Sequence, residues 1–245
     1  MRGWSVAKRH ETRNDDAWGH CIRTRRVAVA DGVTMASYSG PWARILVRGF
    51  IEGKLDITPD KASFQNQVAL LQTEWHNEVP WDRLASRGYP FDFKAKQGGF
   101  STLLGATIEN GRWSAFVIGD CNLFVIDYRH ELKCSWPAQS WAEFGTLPVS
   151  LRSVPSKDAS DPHSSDHVFD AMQAAEGELE SGDSVVLCTD ALAAFLLARK
   201  TDKRLWWELL ALDDLSDEDF ATFIGERRRQ GLKNDDSTAV VVEIP

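Results

Sequence analysis

Short apolar runs, rich in β-branched residues, recur along this chain, and acidic turns stand at their ends. Val27-Ala28-Val29-Ala30 closes on Asp31-Gly32, Phe116-Val117-Ile118 on Gly119-Asp120, and Val185-Val186-Leu187-Cys188 on Thr189-Asp190, while Asp235-Asp236 precedes Thr238-Ala239-Val240-Val241-Val242. Such runs read as buried strands, which displays the four carboxylate turns at strand ends. From Trp4 to Val33 the pattern is strand, polar acidic turn, strand. Ser39-Gly40-Pro41 then starts a helix with Trp42, Ile45, Leu46 and Phe50 at helical spacing, and Thr58-Pro59 opens a second with Phe64, Val68, Leu71 and Trp75 on one face. Val79 to Gly99, punctuated by Pro80, Gly88, Pro90, Gly98 and Gly99, reads as a crossing loop.

Asn110-Gly111 between Ser101–Glu109 and Arg112–Ile118 is a strong hairpin signal and makes the sheet antiparallel. Asn122 to Tyr128 and Leu132 to Trp136 continue the meander. Pro148 to His167, rich in Ser, Asp and Pro, reads as an irregular functional flap. A strand over Asp183 to Cys188 and a helix over Ala191 to Arg199 follow. Trp206, Leu209 and Leu210 mark another helix, and Ser216 with Asp219 resembles a capping box before Phe220, Phe223 and Ile224. Ser237 to Ile244 closes the chain as a strand. The 245 residues suit a single domain, 1–245.

A carboxylate at the end of a buried strand is costly unless it is paired or holds a metal. Asp oxygens with a backbone carbonyl are the hard donors that Mg²⁺ or Mn²⁺ prefers, so the pattern points to a metal-assisted hydrolase. The net charge of -8 argues against general nucleic-acid binding, and the Arg23 to Arg26 cluster, without interleaved aromatics, reads as a solvated hairpin. Cys21, Cys121, Cys134 and Cys188 contain no C-x-x-C pair and read as reduced thiols, which with the absence of an apolar span of membrane length places the expected location in the cytoplasm. A haloacid-dehalogenase-type phosphatase would need a second Asp where Val33 stands. A cysteine phosphatase would need Arg six residues after its Cys, where Val27, Asp127, Ser140 and Ala194 stand. His163 and His167 lack nearby Cys, which disfavours zinc.

Taken in order, Asn14-Asp15-Asp16-Ala17, Ala30-Asp31-Gly32, Phe100-Ser101-Thr102-Leu103, Ile118-Gly119-Asp120, Thr189-Asp190-Ala191 and Asp235-Asp236-Ser237-Thr238 resemble the motifs of the type 2C metal-dependent protein phosphatases, in their divergent bacterial branch. The resemblance implies an α+β fold, a four-layer αββα sandwich of two mainly antiparallel sheets flanked by helices. It implies two ions of Mn²⁺ or Mg²⁺, with Asp31 bridging them, the Gly32 carbonyl as a ligand, and Asp190 and Asp235 completing the first site. Asp15 and Asp16 match an acidic pair that holds a metal or its water, and Asp120 matches a third, weaker metal site. The implied reaction is hydrolysis of phosphoserine and phosphothreonine in a phosphoprotein, opposite a Ser/Thr kinase, by a monomer that engages neither nucleic acid nor membrane. Two departures stand out. Glu11 occupies the place of the family's phosphate-gripping Arg, which leaves Arg13, Arg9 or His10 as substitutes, and Val33 occupies the place of a His that can protonate the leaving oxygen, which leaves water or His10. The first departure favours an alternative reading, a pseudophosphatase that binds phosphoproteins without turnover.

Overall fold

The computed structural model describes residues 1–33, 36–56, 60–145, 148–156, 158, 160–212 and 217–245. Strands β1 (Arg2–Val6), β2 (Ala17–Cys21) and β3 (Arg26–Ala30) lead into helices α1 (Ser39–Ile51) and α2 (Lys61–Glu78). Two short helices, α3 (Trp81–Arg87) and α4 (Phe91–Lys96), precede β4 (Phe100–Ser101), β5 (Leu103–Glu109), β6 (Arg112–Ile118), β7 (Asn122–Ile126) and β8 (Leu132–Trp136). The chain continues through β9 (Leu151–Arg152), α5 (Ser165–Ala171), β10 (Gln173–Glu178), β11 (Ser184–Cys188), α6 (Asp190–Leu197), α7 (Lys203–Leu210), α8 (Asp217–Arg229) and β12 (Ser237–Glu243).

Two five-stranded sheets, ordered β1-β12-β11-β7-β8 and β10-β6-β5-β3-β2, are antiparallel throughout, and β4 pairs with β9 in a third, small sheet. The period-2 alternation of a strand divides each apolar run between two cores. Val27 and Val29 of β3 meet Val240 and Val242 of β12 between the sheets. Ala28 and Ala30 face α1 and α2 on the outside of one sheet, and Ala239 and Val241 face α6, α7 and α8 on the outside of the other. A strand buried on both faces has no polar positions to alternate, which is why these runs are continuous. The result is the expected αββα sandwich.

Local chemistry fixes the joints. Asn110 (φ 52°) and Gly111 (φ 70°) take the positive φ of the tight turn that joins β5 to β6. Asp60 caps α2 by accepting from the amides of Ala62 and Ser63. The Thr58-Pro59 start and the Ser216 cap fall outside the described residues. Trp42, Trp75 and Trp206 are fully buried. Each is tolerated because its indole N–H finds a carbonyl, on Leu151 (2.8 Å), Tyr38 (3.1 Å) and Lys200 (3.0 Å) respectively.

Two expectations change, and two features go beyond what the sequence pattern predicts. The Val79 to Gly99 crossing contains α3 and α4, because Trp81, Leu84 and Ala95 find apolar cover against the α1–α2 layer. The Pro148 to His167 segment is not wholly irregular: β9 pairs with β4, Arg152 is ion-paired to Asp161 (3.0 Å), and α5 begins at Ser165. Strand β10 has no apolar run, since it is an edge strand with exposed Glu176 and Glu178 paired to Arg112. The first strands part company: β1 joins β12 in one sheet while β2 and β3 join the other.

Candidate active site

Each acidic turn stands where its strand leaves the sheet. Asp31 follows β3, Gly119-Asp120 follows β6, Thr189-Asp190 links β11 to α6, and Asp235-Asp236 leads into β12. Because β3 and β6 belong to one sheet and β11 and β12 to the other, the carboxylates gather across one end of the sandwich. Asp16, just before β2, joins them.

Asp16 is the most constrained of the group. Its Oδ2 accepts from the hydroxyls of Thr189 (2.9 Å) and Thr238 (2.8 Å), whereas its Oδ1 is buried with no partner. Thr238 is fixed in turn through Ser5 (2.6 Å), and Ser5 accepts from the Asn14 side chain (2.7 Å). Burial raises the Asp16 carboxyl well above the usual range; the hydroxyl of Thr238 opposes this, and Asp236 adds repulsion. Asp31 is likewise pushed well up, by burial first and then by Asp16, Asp190, Asp120 and Asp235. Asp120 is pushed up to about 7, by burial and then Asp190, and its Oδ1 is also buried without a partner.

Two acceptor-only oxygens orphaned beside further carboxylates are a poor arrangement for an isolated protein and a good one for hard divalent cations. The donor set therefore fits Mn²⁺ or Mg²⁺. Gly32 completes the cradle: a Cβ there would sit 2.5 Å from the Asp15 carbonyl and 3.0 Å from the Ser39 carbonyl carbon, so only glycine lets these segments close. Among the described residues no three Asp, Glu, His or Cys side chains are drawn tightly enough to cage an ion unaided.

Lys233 supplies part of the missing positive charge. Its Nζ lies 2.8 Å from Asp235 and 3.5 Å from Asp190. Partial burial alone would lower its pKa, but the hydrogen bond to Asp235 and the field of Asp190 raise it. A tethered ammonium on these two carboxylates competes with any ion they hold. Lys233→Gln should therefore bind Mn²⁺ about three- to fivefold more tightly by calorimetric titration, the range expected for a largely exposed ion pair. Unchanged or weaker affinity would refute the competition.

The remaining residues separate by role. Asp236 is no part of the cluster's open face, since its two oxygens accept from the amides of Lys8 (2.9 Å) and Asp15 (2.8 Å). Asp15 is buried, but its Oδ1 accepts from Arg13 Nε (2.7 Å) and the Gly40 amide (3.1 Å). Through this one oxygen it serves both Arg13 and the start of α1. Arg13 is half exposed. The Arg9 guanidinium donates to the Gly225 carbonyl (3.2 Å), and the Arg9 backbone amide donates to Asn234 Oδ1 (2.8 Å). Glu11 pairs with Lys8 (3.6 Å), and His10 lies exposed in a turn with φ 68°. Thr189, Lys233 and the Asn14–Ser5 chain went unassigned in the sequence. Thr189 and Asn14 adjoin motif aspartates, a usable signal, but Ser5 and Lys233 are recognisable only once β1, β11 and β12 are assembled.

The protein phosphatase 2C family model matches residues 5–239, and the chain belongs to that family. It is a metal-dependent serine/threonine protein phosphatase, with Mn²⁺ or Mg²⁺ as its ions and phosphoproteins as its substrates. Among solved structures, it is similar to the Mycobacterium tuberculosis serine/threonine phosphatase PstP (14% identity, TM-score 0.61, covering 99% of this chain and 97% of that one). The PstP catalytic domain in complex with two manganese ions is similar at 15% identity and TM-score 0.57, covering 99% and 97%. PppA, a regulatory component of the Pseudomonas aeruginosa type VI secretion system, is similar at 16% identity and TM-score 0.52, covering 98% and 95%. These likenesses show the shared fold. A comparison with curated proteins finds no match. Nothing in the fold or the comparisons favours the binding-only alternative. No helix among the described residues is long and apolar enough to cross a membrane.

Proposed function

We propose that Asp16, Asp31, Asp190 and Asp235, with the Gly32 carbonyl, hold the two ions of this phosphatase, that Asp120 serves a third, and that Arg13 grips the substrate phosphate in place of the family's arginine. The observation that carries this reading is the gathering of Asp16, which is buried, with the half-buried Asp31, Asp120, Asp190 and Asp235, and within it the orphaned Asp16 Oδ1 and Asp120 Oδ1. When bound, such ions acidify water for in-line attack on phosphorus and offset the charge of the phosphoryl oxygens.

The chain's own residues then position and exclude. Thr189 and Thr238 hold one Asp16 oxygen so that the other faces the cluster. Asp15 orients the Arg13 guanidinium through Nε, leaving its terminal nitrogens for a phosphate fork. Val33 offers no ionisable group where the family's His would stand, and among the described residues no contact ties His10 to the carboxylate cluster, which leaves solvent water to protonate the leaving serine or threonine oxygen. The opposing Ser/Thr kinase and the monomeric state are read from the resemblance, and the cytoplasmic location also from the four free cysteines.

Steady-state hydrolysis of p-nitrophenyl phosphate and a phosphothreonine peptide with and without Mn²⁺ tests the reading. Arg13→Ala should lower kcat/KM by roughly ten- to a hundredfold, the loss of a charge-assisted contact of about 1.5–3 kcal/mol, with Mn²⁺ affinity hardly changed. Full activity in Arg13→Ala beside a crippled Arg9→Ala or His10→Ala would move the anchor within the same turn. Full activity in all three would remove this turn from phosphate binding.

A further inference from the structure

Beside the phosphate anchor lies a second basic feature that the catalytic reading does not use. Arg13 forms one wall of a cleft of about 490 Å³ whose other walls are Tyr38, Pro41, Leu84, Arg87 and Phe91. The far wall is the α3–α4 hairpin. Arg87 ends α3, and its guanidinium lies 5.6 Å from the centre of the Phe91 ring, a stacking contact that holds the fork while leaving its edge free. Arg44 lies one turn further along α1, outside the cleft lining but close to the carboxylate that holds Arg13: a Cβ on Gly40 would lie 2.7 Å from Asp15 Oδ1 and 3.4 Å from an Arg44 guanidinium nitrogen. Among the described residues, neither Arg44 nor Arg87 is ion-paired to a carboxylate, while Arg13 is.

The hairpin is also locally basic, with Arg83, Arg87, Lys94 and Lys96 between Trp81 and Gln97 against Asp82 and Asp92. The cleft adjoins the phosphate anchor, because Arg13 belongs to both and Ser37 and Tyr38 follow shortly after Gly32. A peptide held by its phosphoryl group at Arg13 therefore brings a neighbouring side chain within the reach of Arg87. Guanidinium forks match carboxylates bidentately, and the apolar floor of Pro41, Leu84 and Phe91 suits the methylene stem of Asp or Glu.

We propose that this cleft seats an acidic residue flanking the phosphorylated Ser or Thr, which makes acidic-flanked phosphopeptides the favoured substrate class; the inference rests on the phosphatase reading above. The surface of the rest of the molecule works against such peptides, so the preference is local to Arg87 and Arg44 and is not a general charge effect.

The test uses fluorescent peptides carrying a non-hydrolysable phosphonate analogue of phosphothreonine, flanked by Asp, Ala or Lys, with Kd measured by anisotropy in Mn²⁺ at low salt. Wild-type protein should bind the Asp-flanked peptide about tenfold more tightly than the Ala-flanked one, as for one charge-assisted contact. In Arg87→Glu the ratio should fall to about one or turn toward the Lys-flanked peptide, and Arg44→Glu should reduce it. Arg87→Ala, the milder variant, should give an intermediate ratio, and thermal melts confirm that each variant is folded. Equal Kd values across the three peptides in wild type would overturn the proposal, as would an acidic preference that survives Arg87→Glu. Turnover of the corresponding phosphopeptides separates the two readings: hydrolysis without flank discrimination sinks this inference alone. An Arg87-dependent preference without hydrolysis sustains it and sinks the catalytic reading.

Discussion

Asp31→Asn should leave a folded protein that binds Mn²⁺ at least about a hundredfold more weakly, a larger loss than outer partners of a metal site usually cause. The substitution keeps the size of the side chain and removes one anionic charge from the centre of the cluster. Asp31 feels Asp16, Asp190, Asp120 and Asp235 together, so it is the position where one charge matters to most neighbours. Two readouts should move in opposite directions. Without metal, the variant should melt higher than wild type at pH 8, because a repelled carboxylate has gone. With saturating Mn²⁺ it should gain far less stability than wild type and show correspondingly little turnover. Unchanged stoichiometry and affinity in calorimetric titration would remove Asp31 from the metal core.

Metal-free protein should lose stability as pH rises from 5 to 8, the reverse of what ordinary paired carboxylates do. Asp16, Asp31 and Asp120 are all raised above the usual 3.8 in the folded chain, mainly by burial. A group raised on folding contributes stability that is fully present below its unfolded pKa and is lost as pH climbs through its folded value. For Asp120 that value is about 7, which sets the window. A rise of that size is worth on the order of a few kcal/mol at 1.36 kcal/mol per unit. At roughly 2–4 °C per kcal/mol for a chain of this length, Tm in chelator should fall by at least about 5 °C between pH 5 and pH 8. Saturating Mn²⁺ should abolish the fall, since ions bind the deprotonated carboxylates and bind them better as pH rises. A flat Tm in chelator across this range would show that the cluster is neutralised by other means, with Lys233 the first candidate.

Much of the site was legible because its chemistry lies in local turns. Asp31-Gly32, Gly119-Asp120, Thr189-Asp190 and Asp235-Asp236 could be read from the punctuation of apolar runs alone, whereas the choice of Asp235 over Asp236 is implied only by the resemblance to the family's motif. The geometry assigns the two differently, with Asp236 occupied by the Lys8 and Asp15 amides and Asp235 beside Lys233. Arg13 was one of three candidate anchors in one turn. Its bond to Asp15 and the engagement of Arg9 with Gly225 are the grounds for proposing Arg13, and neither contact has a spacing rule behind it. Asp15 and Asp16 looked equivalent in the motif; burial beside Thr189 and Thr238 singles out Asp16, and the start of α1 claims Asp15.

What the sequence by itself determined is what short-range physics encodes: two-faced burial of β3, β11 and β12 from their unbroken apolar runs, the hairpin at Asn110-Gly111, the amphipathic α1 and α2, and acidic turns too costly to keep without a cation. Tertiary structure decided everything that depends on residues far apart in the chain. It paired β1 with β12 across more than two hundred residues, folded the Val79 to Gly99 crossing into α3 and α4, and built the edge strand β10 from backbone pairing alone. It also set Lys233 between two carboxylates and Arg87 across a cleft from Arg13. The physical reason is that a strand's burial and a turn's φ are written in neighbouring residues, whereas the charge that meets a carboxylate or a guanidinium is fixed only when both sheets have closed.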